Sequence, residues 1–155
     1  MAIGADLKID YQWKSCSINT KANIGSNNGK KLKDNQKIEV LKIKELSRRK
    51  LNHINSKIEN IRVIKGTNFH YFSKESQAKF FKKEYSVTKL TDRMGMRLEG
   101  ERLDNIINTN IKSEGLVKGV IQIPADGNPI IMLADHGTIG GYPKIATVIL
   151  SLIHI

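Results

Sequence analysis

The sequence predicts a mainly β fold for residues 61–155, a small barrel or closed sheet carrying one or two short helices. Three observations carry that expectation. The apolar runs are short, turn signals separate them in a steady cadence, and the run Ile130-Ile131-Met132-Leu133 is continuous and apolar, as in a strand buried on both faces. Residues 1–60 read differently: they are polar, basic, Asn-rich and weakly patterned.

In the first part, Asn23 to Gly29 is a loop by composition, and Lys37 to Ile43 alternates enough to make a short strand. Leu46, Leu51, Ile54, Ile58 and Ile61 recur at helical spacing, which predicts an amphipathic helix over 45–59. The second part opens with a strand, Ile61 to Ile64, and turns at Gly66 to Asn68. Ser73 is an N-cap for a helix through Phe81, with Glu75 near its positive end. Strands follow at Tyr85 to Leu90 and Met96 to Leu98. Lys118 to Ile123 and Pro129 to Ala134 make the clearest hairpin, joined by the turn residues Pro124 to Asn128.

The chain has 155 residues and a formal net charge of +11, with one cysteine, three prolines and 39% hydrophobic residues. One domain of modest core fits these figures. Lys30 to Lys65 holds twelve Lys and Arg against four acidic residues, a net +8 of the +11. That run raises a nucleic-acid reading, but no aromatic interleaving or binding motif accompanies it, and an Asn-, Ile- and Lys-rich composition also follows from AT-rich coding. Cys16 alone makes neither a disulfide nor a cysteine-rich zinc site. No signal peptide or membrane span is apparent, so the expectation is a reduced, cytoplasmic protein. His53, His70, His136 and His154 lack metal-ligand spacing, and no metal is expected.

Four segments carry chemistry: TDRMGMRLEG (91–100), SEG (113–115), GVIQIPADGNPI (119–130) and LADHGTIGGYPK (133–144). In the first, Asp92, Arg93, Arg97 and Glu99 put two acids and two bases within eight residues. On a strand, Arg93, Arg97 and Glu99 share a face, where guanidinium forks would hold an anion; a structural ion-pair set on a barrel rim is the alternative. Gly137 to Gly141 reads as a flexible loop, either cradling an anion on its amides or simply turning with positive φ. It is not a Walker A loop. An Asp135–His136 dyad is disfavoured, because neighbours on a strand point to opposite faces. No nucleophile elbow is present.

These segments, in this order and spacing, resemble the biotin-dependent carboxyltransferase family, which includes the C-type subunit of 5-oxoprolinase, allophanate hydrolase subunit 2 and the urea amidolyase-related proteins. The family pattern runs approximately S-D-R-M-G-x-R-L-x-G, S-E-G, G-x-I-Q-x-P-x-x-G-x-P-I and L-A-D-x-x-T-x-G-G-Y-P. The match covers about Ile61 to Val148, and Ile3 to Leu7 resembles a motif of the family's N-terminal half. Thr91 stands where the family has Ser, and Ile139 where Thr is frequent.

The resemblance implies cyclophilin-like β-barrels, here incomplete relative to the family's two-barrel architecture. Residues 1–60 would be a remnant of the N-terminal half plus a basic helical segment, and 61–155 the C-terminal barrel region, truncated at its end. An open barrel would leave strand edges and the run Ile145 to Leu150 exposed and prone to pairing. The implied activity is ATP-dependent opening of the lactam of 5-oxoproline, or carboxyl transfer from biotin. Partners are implied in the B-type and A-type subunits of 5-oxoprolinase, with ATP held by the complex rather than by this chain. A non-catalytic remnant and a regulatory protein of the kinase anti-inhibitor type are the other readings. Carried over by position, Asp135, Lys144 and Asp92 are the candidate catalytic residues. Arg93, Arg97, Gln122, Thr138 and Tyr142 are the candidate substrate-binding residues, the arginines for an acidic group and Gln122 and Thr138 for an amide or lactam.

Overall fold

The computed structural model describes residues 4–44, 60–107 and 110–149. It divides into two compact units, Met1–Asn55 and Ser56–Ile155. The helix expected over 45–59 lies outside the described residues.

In the first unit, β1 (Ala5–Leu7) pairs antiparallel with β2 (Val40–Ile43), Ala5 opposite Ile43 and Asp6 opposite Lys42. The chain between them is made of turns. The stretch Asn23 to Gly29 is a loop as expected, with a short 3-10 turn at Asn27–Gly29. Asn23, Asn27 and Asn28 take positive φ, which Asn tolerates better than most residues. Gly25, at φ +104°, is required there, since an added Cβ would run into the Ser17 carbonyl.

The second unit contains β3 (Val63–Lys65), a 3-10 turn (Phe69–Tyr71), α1 (Lys74–Lys82), β4 (Tyr85–Val87), β5 (Gly95–Gly100), β6 (Glu114–Gly115), β7 (Val120–Gln122), β8 (Ile130–Met132), β9 (Ile139–Gly140) and β10 (Lys144–Val148). Six of these strands form one antiparallel sheet in the order β3-β10-β7-β8-β5-β4, and β6 and β9 form a separate two-stranded ribbon. The fold is mainly β with one α-helix among the described residues. Ser73 caps α1 as its sequence predicts: its hydroxyl accepts from the Ser76 amide at 3.1 Å, and Glu75 reaches Lys79 one turn on at 2.9 Å. The hairpin also forms as expected. Its turn closes through the Gly127 amide on the Pro124 carbonyl at 3.0 Å, with Gly127 at φ +77°.

The strand buried on both faces is β7, not β8. Val120, Ile121, Gln122 and Ile123 are all buried, whereas Ile130 and Ile131 are only half-buried. On one face of the sheet Ile121 and Ile123 join Phe72, Leu103, Ile145, Ala146 and Val148 in the main core. On the other, Val120 and Met132 pack with Leu116 and Ile130. The expected exposure of Ile145 to Leu150 is also corrected. Ile145 and Ala146 are fully buried and Val148 nearly so, because β10 lies between β3 and β7 and is covered by the main core; Leu150 lies outside the described residues. The strands expected at Ile61 to Ile64 and Tyr85 to Leu90 are present in part, and β5 extends beyond Met96 to Leu98 at both ends.

Candidate functional site

The register sets one row of residues across four strands. Lys144 of β10 stands opposite Gln122 of β7, Gln122 opposite Ile130 of β8, and Ile130 opposite Arg97 of β5. Directly opposed residues of an antiparallel pair project to the same face, so Lys144, Gln122 and Arg97 share a face of the sheet. With neighbouring strands 4.7–4.9 Å apart, Arg97 is about 14 Å from Lys144 along this row. The row runs from buried to exposed: Lys144 and Gln122 are buried, Ile130 is half-buried and Arg97 is exposed.

The buried end of the row is the most specific feature of the molecule. A buried lysine is costly unless its charge is met. The Lys144 ammonium lies 2.8 Å from the Glu114 carboxylate, its side chain 5% exposed against 43% for Glu114. Its backbone amide donates to the buried Asn68 side chain at 3.0 Å. The hydrogen bond from Lys144 holds the Glu114 carboxyl below its ordinary value of 4.5; burial opposes this, and the charge of Lys144 and contacts from Asn68 and Thr67 add to the lowering. Gln122 donates from Nε2 to the Tyr142 carbonyl at 3.0 Å. The ribbon lies directly over it: a Cβ added at Gly140 would stand 2.7 Å from Gln122 Nε2 and 2.8 Å from Leu116 Cδ1.

This arrangement corrects the reading of Gly137 to Gly141 as a flexible loop. Ile139 and Gly140 are the strand β9, paired with Gly115 and Glu114, and the glycines here are not among those of positive φ. Gly140 is needed for close approach rather than for its backbone angles. Thr138 is exposed, and its carbonyl accepts from the Leu116 amide at 2.9 Å. Tyr142 is 39% exposed.

A second group lies at the start of β5. Arg93 and Asp135 form a two-point ion pair, Nε to Oδ2 at 2.7 Å and an Nη to Oδ1 at 3.2 Å. Backbone bonds fix both sides, Asp135 N to Arg93 O at 3.0 Å and Leu133 N to Met94 O at 3.0 Å. Arg93 therefore does not share a strand face with Arg97 and Glu99; it sits in the bend before β5, while Arg97 and Glu99 remain on one face of the strand. Asp135 lies in a turn rather than on a strand, so alternation of strand neighbours is not what separates it from His136. Its carboxylate is taken by Arg93, and the His136 ring contacts the Gly137 carbonyl. Asp92 builds the bend: its Oδ1 accepts from the amides of Met94 at 2.8 Å and Gly95 at 3.0 Å.

The structure thus brings together Lys144, Gln122 and Tyr142 in one place and Asp92, Arg93 and Asp135 in another, with Arg97 at the exposed end of the row. Sequence reasoning missed Glu114, Asn68 and Thr67. Glu114 lay within a segment singled out for its pattern; Asn68 read only as a turn residue. Among the described residues, no group of three His, Cys, Asp or Glu is placed to hold a metal ion, and no helix is long and apolar enough to cross a membrane. Within the first unit, an open groove of about 850 Å³ runs between Leu7, Ile18, Leu32, Ile38 and Val40; none of the residues nominated from sequence lines it.

Comparison with known proteins gives a consistent result. The family described as carboxyltransferase domain, subdomain A and B, matches residues 1–153. The C-type subunit of 5-oxoprolinase from Escherichia coli (strain K12) is 33% identical over 151 residues, which cover 96% of this chain and 48% of that protein. The corresponding 5-oxoprolinase protein of Haemophilus influenzae is 31% identical over 136 residues, 87% of this chain and 44% of that protein. The chain spans about half the length of the curated relatives it matches. Among solved structures, the urea amidolyase of K. lactis superposes with a TM-score of 0.69 at 20% identity, over 94% of this chain and 10% of that one, a likeness of fold.

Proposed function

The chain belongs to the carboxyltransferase domain family, subdomain A and B, and on that premise we propose that it works as a C-type component of an ATP-dependent 5-oxoprolinase. The reaction is hydrolysis of the lactam of 5-oxoproline to glutamate. The observation that carries this reading is a polar pair, Lys144 and Gln122, buried side by side where β10 begins and β7 ends. Burying a lysine and an amide there is expensive, and the chain that holds them aligns over most of its length with named 5-oxoprolinase components.

In this reading Gln122 and Thr138 bond the amide of the lactam, with Tyr142 beside them. Arg97, exposed on the same face as Lys144, takes an acidic group of the substrate or of a companion protein. Lys144 or Asp135 moves the proton that the leaving nitrogen needs. Asp92 acts through the bend that carries Arg93, since its carboxylate is engaged by two amides. ATP is the complex's cofactor in this reading, and the complex is cytoplasmic.

The family description favours a second reading, carboxyl transfer. There, biotin carried by a companion protein supplies the activated carboxyl, and Arg97 receives its charge.

The test is co-expression with A-type and B-type homologues and an assay of glutamate release. Turnover is expected from the assembled complex with ATP and not from the lone chain. Turnover by the lone chain removes the partner requirement. A correctly assembled complex that releases no glutamate, but accepts carboxyl from biotin, moves the assignment to the second reading.

A further inference from the structure

We propose that Lys144, Asn68 and Thr67 form a carboxylate-binding pocket in which the Glu114 side chain is a built-in occupant, displaced when a small carboxylate ligand arrives. The inference deepens the 5-oxoprolinase reading and rests on it for the identity of the ligand, because 5-oxoproline is itself a carboxylate; Lys144 then takes that carboxylate, Arg97 an acidic group of a companion protein, and the proton transfer falls to Asp135.

The two sides of the contact are built differently. Two of the donors, Lys144 and Asn68, are buried. Lys144 lies on β10, between two neighbouring strands, and its side chain is 5% exposed. Asn68 is 3% exposed, and its Oδ1 is fixed as acceptor of the Lys144 amide at 3.0 Å, which leaves its amide group to donate to Glu114. Thr67, at the exposed rim, donates its hydroxyl to Asn68 Oδ1 at 3.4 Å and so steadies Asn68. The acceptor comes from the periphery. Glu114 sits on a two-residue strand exposed at both positions, and that strand is paired only with the equally short β9. The Glu114 side chain is 43% exposed, so the carboxylate it delivers borders solvent.

A set of donors placed by β10 and by the turn after β3, facing a carboxylate on a short peripheral ribbon, has the form of a ligand site with its ligand supplied in cis. Withdrawing Glu114 would leave the Lys144 ammonium facing solvent through the space that the side chain vacates. A carboxylate that restores the 2.8 Å contact meets the same donors, and a ligand larger than the glutamate side chain extends toward the solvent that Glu114 already borders.

The experiment is titration calorimetry of the full chain with sodium acetate and with 5-oxoproline. Glu114→Ala is expected to bind acetate at least tenfold more tightly than the unsubstituted chain, since the internal competitor is gone, and Lys144→Met is expected to bind neither probe. Should Glu114→Ala fail to fold, Glu114→Gln keeps the shape and gives up the charge, and it should still bind acetate more tightly. No gain in any folded Glu114 variant overturns the proposal, as does a gain that persists in Glu114→Ala/Lys144→Met. Acetate binding without 5-oxoproline binding upholds the pocket and removes the lactam as its ligand, separating this inference from the activity on which it draws.

Discussion

The Lys144 ammonium and the Glu114 carboxylate meet at 2.8 Å with the cation buried and the anion half in solvent. The pair is therefore electrostatically lopsided, and the two partners should respond differently to removal. Glu114→Ala leaves the ammonium without its counter-charge and reached by water only through the vacated space, which should cost somewhat less than the ~3–5 kcal/mol of a fully buried pair. Lys144→Met leaves a carboxylate that water reaches and should cost about 1 kcal/mol. Urea denaturation should also show the double variant to be more stable than Glu114→Ala alone. Equal losses for the two single variants would mean that the lysine is not buried as described.

The same pair fixes a pH dependence. Lys144 holds the folded-state carboxyl of Glu114 below its ordinary value of 4.5, so the folded protein binds fewer protons at this site than the unfolded chain does. Its contribution is complete above about pH 4.5 and is lost as pH falls through the lowered value. Thermal midpoints of the unsubstituted chain and of Glu114→Gln should differ by a constant amount from pH 7 to about pH 5 and then converge in acid. A gap that stays constant down to about pH 2 would show that Glu114 does not titrate in the way its contacts require.

Arg93 and Asp135 offer a separate handle on activity. Their side chains are 67% and 36% exposed, and an ion pair of that exposure contributes about 0.2–1 kcal/mol. Asp135→Ala should thus leave stability nearly unchanged. In the assembled complex, Asp135→Ala and Arg97→Ala are each expected to remove most of the glutamate release. Full activity in both variants would take Asp135 and Arg97 out of the site.

The basic stretch from Lys30 to Lys65 should bind duplex DNA weakly and lose that binding between low and physiological salt. Contacts made only to phosphates through lysines weaken steeply as counterions are added. Fluorescence anisotropy with two unrelated duplexes is sufficient to check it. Tight binding that distinguishes the two sequences at physiological salt would restore the nucleic-acid reading.

Local chemistry was legible in the sequence and long-range placement was not. The Ser73 cap and the Pro124 to Asn128 turn depend on neighbours a few residues away, and both formed as their residue types predict. The row Lys144–Gln122–Ile130–Arg97 depends on the order of four strands, which no local pattern encodes. Arg93 shows the limit plainly. Its spacing from Arg97 suits a shared strand face, but the Asp92 side chain turns the chain between them and aims Arg93 at a residue 42 positions away. Glu114 lay in view within a short motif, yet a two-residue strand has too little pattern to announce itself, and its partner Lys144 reads as one more solvated lysine until β10 is seen to be interior.

The ribbon also sets an order in which protection from solvent is lost. Amides of β7 are bonded to strands on both sides and covered on both faces, so deuterium should reach them only when the whole sheet opens. The Gly140 amide is held by a short peripheral ribbon and should exchange sooner, through a local excursion that leaves the sheet intact. Such an excursion lifts Gly140 off Gln122 and Glu114 away from Lys144 together. Entry of a ligand to the buried end of the row would then be timed by the fraying of the ribbon, rather than by the unfolding of anything that holds the donors in place.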